Sequence, residues 1–183
     1  MKLNYKRTFL VGFASLSIYA FWQLYDNIIP LILLNTFGLT SDISGYIMAA
    51  DNVLAMFLLP IFGSLSDKCT SKLGKRTPFI LTGTALAVTL MNILPLLDNA
   101  YFTSNEKGLL IGFIIVLGML LLSMGLYRSP AVALMPDVTP KPLRSKANAI
   151  INLMGAVGGI IYLIITTFMY SSAKTEGLSH IDY

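Results

Sequence analysis

Three ionisable residues, Asp26, Asp51 and Arg128, fall inside long apolar runs of the chain, and chemistry is expected there first. A charge at the centre of a membrane helix costs about 2.5–3.5 kcal/mol on insertion scales, so such residues mark ion pairs, ion sites or polar paths. Burial disfavours the charged form of a carboxyl group and a nearby cation favours it. Asp26 and Asp51 are therefore candidates to take up and release a proton or sodium ion as their surroundings change, the alternative being a static ion pair with Arg128. Asp26 also ends a stripe of Ser15, Tyr19, Trp22, Gln23 and Asp26 that recurs at helical spacing and shares one face. Such a face is expected to meet protein or a water-filled cavity rather than lipid. Flat aromatic rings suit the C–H face of a pyranose and an amide suits its hydroxyls, so Tyr19, Trp22 and Gln23 are the expected sugar contacts. An aromatic and polar helix interface is the other reading of the same stripe.

The elements that carry these residues are read from composition. Of 183 residues, 55% are hydrophobic and 12% charged, where a soluble domain has about a quarter charged. That balance describes a membrane protein embedded in a lipid bilayer. The sequence pI of about 9.2 arises from basic residues in short turns rather than on one solvated face, which argues against nucleic acid as a partner. The single cysteine, Cys69, permits no disulfide within the chain. No metal-ligand spacing, Ser-His-Asp set or phosphate loop is present, and His180 falls in a polar tail. The sequence therefore predicts no enzyme, no cofactor and no metal.

An all-α, polytopic bundle of five membrane helices is expected over residues 1–170, with spans at 8–34, 44–65, 78–97, 108–135 and 146–170 and a polar tail at 171–183. As a helix the first run would be about 40 Å long against a bilayer core of about 30 Å, so it should tilt or bend, with Pro30 the place to bend. That run is too long for a signal-peptide core and lacks a cleavage site. Residues 98–107 read as a polar outer loop. Residues 136–145, with Pro136, Pro140 and Pro142, read as an inner turn too proline-rich for continuous helix. Ten of the 13 Lys and Arg residues fall at the N-terminus, in the turn after Gly63 and around Arg144, which predicts a cytoplasmic N-terminus and an extracytoplasmic tail. The pairs Gly155 with Gly159, Gly83 with Ala87 and Gly45 with Ala49 have the spacing of close helix packing.

Residues 63–80, GSLSDKCTSKLGKRTPFI, join two apolar runs. Gly63, Leu65, Asp67 and Lys68, then Gly74, Lys75 and Arg76, resemble the loop between the second and third helices of major facilitator transporters. The four residues from Cys69 to Lys72 and the Thr-Pro-Phe-Ile after Arg76 are similar to plant-type sucrose transporters and the glycoside-pentoside-hexuronide cation symporters. Pro130, Ala133-Leu134, Asp137, Arg144 and Ala147-Asn148-Ala149 also occur in the order of a sucrose-transporter segment. Where those proteins carry an Arg just before the Ala-Leu pair, this chain has Val132, and Arg128 is the residue to which a substrate-binding role is assigned. The resemblance places the cation-site carboxylates of the melibiose-type branch near Ala55 and Leu59, one turn from Asp51, so that sodium-site pattern is missing.

The resemblance implies a cell-membrane symporter that couples a sugar to a cation, a proton being favoured over sodium, by alternating access. Two six-helix halves make up that fold, so the chain is expected to be a truncated first half whose partner is the missing C-terminal helix bundle. Gly63, Asp67, Lys68, Gly74, Lys75 and Arg76, joined by Asp137 and Arg144, are implied as a cytoplasmic gate. A non-transporting scaffold or sensor of the same fold, or a transporter of another solute, are the alternatives.

Overall fold

In lipid every backbone N–H and C=O must be satisfied within the protein, and a helix does this within one segment. The computed structural model describes residues 4–104 and 106–169; the polar tail and the Asp51 side chain lie outside the described residues. The chain is all-α, with α1 (Tyr5–Leu31), α2 (Ser41–Asp67), α3 (Thr77–Ser104), α4 (Lys107–Val138) and α5 (Arg144–Met169). All five are long and apolar enough to cross a membrane, and no strand occurs among the described residues. Residues 4–27 with 130–169 form one compact unit and residues 28–129 another.

In the first unit α5 turns a buried face of Ala147, Ile151, Gly155, Gly158, Gly159 and Tyr162 inward. Gly158 has to lack a side chain, because a Cβ there would fall on the Leu16 carbonyl oxygen of α1. Backbones this close gain dispersion contacts along their length, the means by which membrane helices associate without a hydrophobic driving force. The expected long turn at 136–145 is corrected: α4 continues through Pro136 to Val138, and α5 begins at Arg144 after a short 3-10 turn. Arg144 makes the short connection workable by donating from Nη2 to the Pro136 carbonyl at 2.9 Å and from Nε to the Thr139 carbonyl at 3.3 Å. These are carbonyls that the end of α4 would otherwise leave without a helical donor.

In the second unit the buried face of α3 is Gly83, Ala87, Leu90, Met91, Leu94 and Asp98. A Cβ on Gly83 would lie 2.8 Å from the Tyr127 backbone nitrogen, so α3 and α4 cross there nearly in backbone contact. Gly125 of α4 similarly meets Leu58 and Phe62 of α2, at 3.4–3.5 Å from a built Cβ. α1 gives way after Pro30 to a π-helical turn, Ile32–Thr36, which packs on α2 and α3. Proline lacks the N–H that a helical bond would use, and the wider turn follows directly. Phe37 then stacks at 4.5 Å from Tyr101 and 4.8 Å from Phe113.

Two expectations are corrected in this unit. The stretch read as an outer loop from Asp98 is helix as far as Ser104, and Asp98 is fully buried one turn beyond Leu94. Gly45 and Ala49 are exposed, with nothing near a Cβ built on Gly45, so this pair packs no helix among the described residues.

Candidate functional site

Ser15, Tyr19 and Gln23 lie along the glycine face of α5. A Cβ on Gly155 would be 2.8 Å from Tyr19 Cδ2 and 3.2 Å from Ser15 Oγ, and one on Gly159 would be 3.4 Å from Gln23 Cγ. Part of the stripe is therefore a helix interface, as its second reading anticipated. The interface does not cover it: Tyr19 remains 47% exposed, Asp26 is exposed, and Trp22 and Gln23 are half-buried. The Trp22 and Tyr25 ring centroids are 6.0 Å apart at 40°. Asn27 was not anticipated, although it follows Gln23 by one helical turn. Its Nδ2 donates to the Gln23 backbone carbonyl at 2.7 Å and to Gln23 Oε1 at 3.3 Å.

The first unit thus gathers Tyr19, Trp22, Gln23 and Asp26 on one helix. Arg128, half-buried on α4, and Asp51, on α2, belong to the second unit.

The turn between α2 and α3 is built from its own side chains. Asp67, at the C-terminal end of α2 where a negative charge opposes the helix dipole, meets Arg76 with Oδ1 2.8 Å from Nη2. Arg76 is 12% exposed and Asp67 59%, so the guanidinium is the sheltered partner. Arg76 Nη1 also donates to Ser66 Oγ at 3.4 Å, and that hydroxyl donates to the Gly63 carbonyl at 2.9 Å. Gly74 has φ +97, a left-handed conformation that costs glycine little, and its N–H closes a turn onto the Ser71 carbonyl at 3.0 Å. Lys68, Lys72 and Lys75 are exposed.

One turn above, Ser129 Oγ of α4 donates to the Leu59 carbonyl of α2 at 2.7 Å and would lie 3.0 Å from a Cβ on Gly63. Ser66 and Ser129 were both missed in the sequence, where nothing in a serine's spacing tells which backbone or side chain it will bond. Of the other two expected gate residues, Asp137 is exposed in the last turn of α4 and Arg144 caps that helix, both in the first unit.

These features define a multi-pass α-helical membrane protein with polar side chains held on the face of a membrane-crossing helix. A Major Facilitator Superfamily domain matches residues 11–178, and the chain belongs to that family. It is 32% identical over 140 residues to sucrose transport protein SUC3 of Arabidopsis thaliana, covering 70% of this chain and 24% of that protein. To sucrose transport protein SUT4 of Oryza sativa subsp. indica it is 33% identical over 140 residues, 70% of this chain and 24% of the relative. With sucrose transport protein SUT1 of Oryza sativa subsp. japonica the identity is 28% over 183 residues, 93% of this chain and 32% of the relative. The chain spans 24–32% of the length of these relatives. No solved structure matches it.

Proposed function

We propose that the chain forms part of the path of a sugar transporter of the sucrose class, driven by a proton gradient and working by alternating access. The observation that carries this reading is the α1 face on which Tyr19 and Asp26 are exposed beside half-buried Trp22 and Gln23 within a membrane-crossing helix. Polar and ionisable groups within a membrane span are expensive in lipid, and a sugar with its hydroxyls is a partner that offsets the cost while its C–H face suits the rings. The names of the relatives support a disaccharide.

In this mechanism Tyr19, Trp22 and Gln23 hold the sugar, Arg128 adds a cationic contact, and Asp26, with Asp51 second, carries the coupling proton. Gly63, Asp67, Lys68, Gly74, Lys75 and Arg76 bias the cytoplasmic closure, with the N-terminus on that side. A bias of a few kcal/mol between two states is enough for such a gate. A second helix bundle supplies the other wall of the path, with the site near the midplane.

The test is uptake of radiolabelled sucrose, with proton flux, in vesicles holding the protein that the native gene encodes. Saturable uptake that an uncoupler abolishes is expected. Absence of saturable uptake across a panel of mono- and disaccharides sinks the reading. The 183 residues alone are expected to insert without transporting, and saturable uptake by them alone would remove the need for a second bundle.

A further inference from the structure

Asn27 is in none of the roles above, yet its amide is tied to the one amide expected to meet sugar. A carboxamide has two N–H donors and one acceptor oxygen. Asn27 uses its nitrogen twice, on the Gln23 backbone carbonyl at 2.7 Å and on Gln23 Oε1 at 3.3 Å. The first bond anchors Asn27 to the helix. The second engages one lone pair of the Gln23 oxygen and so favours one way of turning its amide.

What remains is one acceptor and one donor group. Asn27 Oδ1 accepts no bond among the described residues, and Gln23 Nε2 donates none there. Gly159 of α5 faces this amide and leaves it room, since a Cβ built there would already be 3.4 and 3.5 Å from Gln23 Cγ and Nε2. A donor and an acceptor held side by side complement two neighbouring hydroxyls, one accepting and one donating.

We propose that Asn27 is a specificity-determining residue that, with Gln23, recognises a vicinal diol of the substrate. This rests on the sugar reading of the α1 face and names the chemical group that the face selects. A site built to bond a hydroxyl rejects the analogue that lacks it far more strongly than a pocket rejects a missing methylene. The pair therefore contributes discrimination between sugars rather than turnover.

The experiment measures KM and kcat for sucrose and for a set of monodeoxysucrose analogues with the wild-type transporter, Asn27→Ala and Asn27→Asp. Asn27→Asp keeps an acceptor and removes the donor that turns Gln23. Both variants are expected to raise the sucrose KM by about tenfold or more with kcat little changed, and to lose no further affinity for the deoxy analogue that lacks the recognised hydroxyl. Asn92→Ala is the structural control, since Asn92 makes the same one-turn bond to a backbone carbonyl, Nδ2 to Val88 at 2.7 Å, on α3. It should leave KM unchanged.

Wild-type KM values in both Asn27 variants, or a rise equal for every analogue, overturn the proposal. If either variant fails to reach the membrane, competition of deoxy analogues against labelled sucrose on the wild type decides. Two adjacent hydroxyls must then dominate, and a flat profile counts against the pair. A wild-type protein that takes up no sugar refutes the function itself, a different outcome from unchanged variants.

Discussion

The α1 face and the turn after Gly63 both concentrate polar side chains, and they differ in how much of them stays exposed. In the turn the groups bond one another: Arg76 with Asp67 and Ser66, Ser66 with Gly63, Gly74 with Ser71. On α1, Tyr19 and Gln23 touch the glycines of α5 along one edge, while Tyr19 stays 47% exposed and Asp26 is exposed. The turn finds its partners inside the chain, as a device that holds a shape does. The face keeps Tyr19 and Asp26 exposed, as the proposed contact with a sugar requires.

The largest test of that contrast is Asp26→Asn. It fixes a neutral carboxamide in place of the carboxylate and should abolish uphill accumulation and substrate-linked proton movement while sparing exchange at equal sugar concentrations. Proton-dependent accumulation by this variant would move the coupling role to Asp51. Gly158→Ala attacks the floor beneath the face. With its Cβ on the Leu16 carbonyl, α1 and α5 must separate, at a cost of about 1–3 kcal/mol. A lower midpoint of thermal unfolding in detergent is expected, and an unchanged midpoint would mean that the two helices do not need this contact.

On the other side of the comparison, Asp67→Asn should slow transport while leaving membrane insertion and detergent-measured sugar affinity intact. A half-exposed pair contributes about 1 kcal/mol or less, and about 1 kcal/mol is roughly a fivefold change in an equilibrium. Normal uptake rates would remove Asp67 from the gate. The smallest effect is expected from Ser129→Ala, which loses one hydrogen bond, about 0.5–1.5 kcal/mol net. The Leu59 carbonyl keeps its place in α2, and a modest drop in unfolding midpoint with unchanged sugar KM is the expected result. A changed KM would mean that Ser129 also acts on sugar binding.

The five helices were legible because hydropathy over some 20 residues leaves little choice in lipid. Their ends were less so. The run DNAYFTSNEK looks like a loop by polarity, yet Asp98 follows Leu94, Met91 and Ala87 at three- to four-residue intervals on the buried face of α3. That periodicity was the available signal, outweighed by composition. Counting prolines at 136–145 similarly overlooked that Arg144 can cap a helix across the turn. On α1 the stripe was visible, because spacing alone determines who shares a helix face. What spacing does not reveal is which edge of a ring lies against a neighbour, or that Asn27 orients Gln23, since both depend on how far two backbones approach.

Trp22 is the single tryptophan of the chain and lies within the expected sugar-contacting group, its ring centroid 6.0 Å from that of Tyr25. In this polypeptide all indole emission comes from that face, and light absorbed by the neighbouring phenol can be passed to it. A sugar laid against the indole, or a shift of α1 that changes its surroundings, then alters the colour and yield of fluorescence without any label. Under the proposed function, α1 would thus carry its own optical reporter of substrate binding.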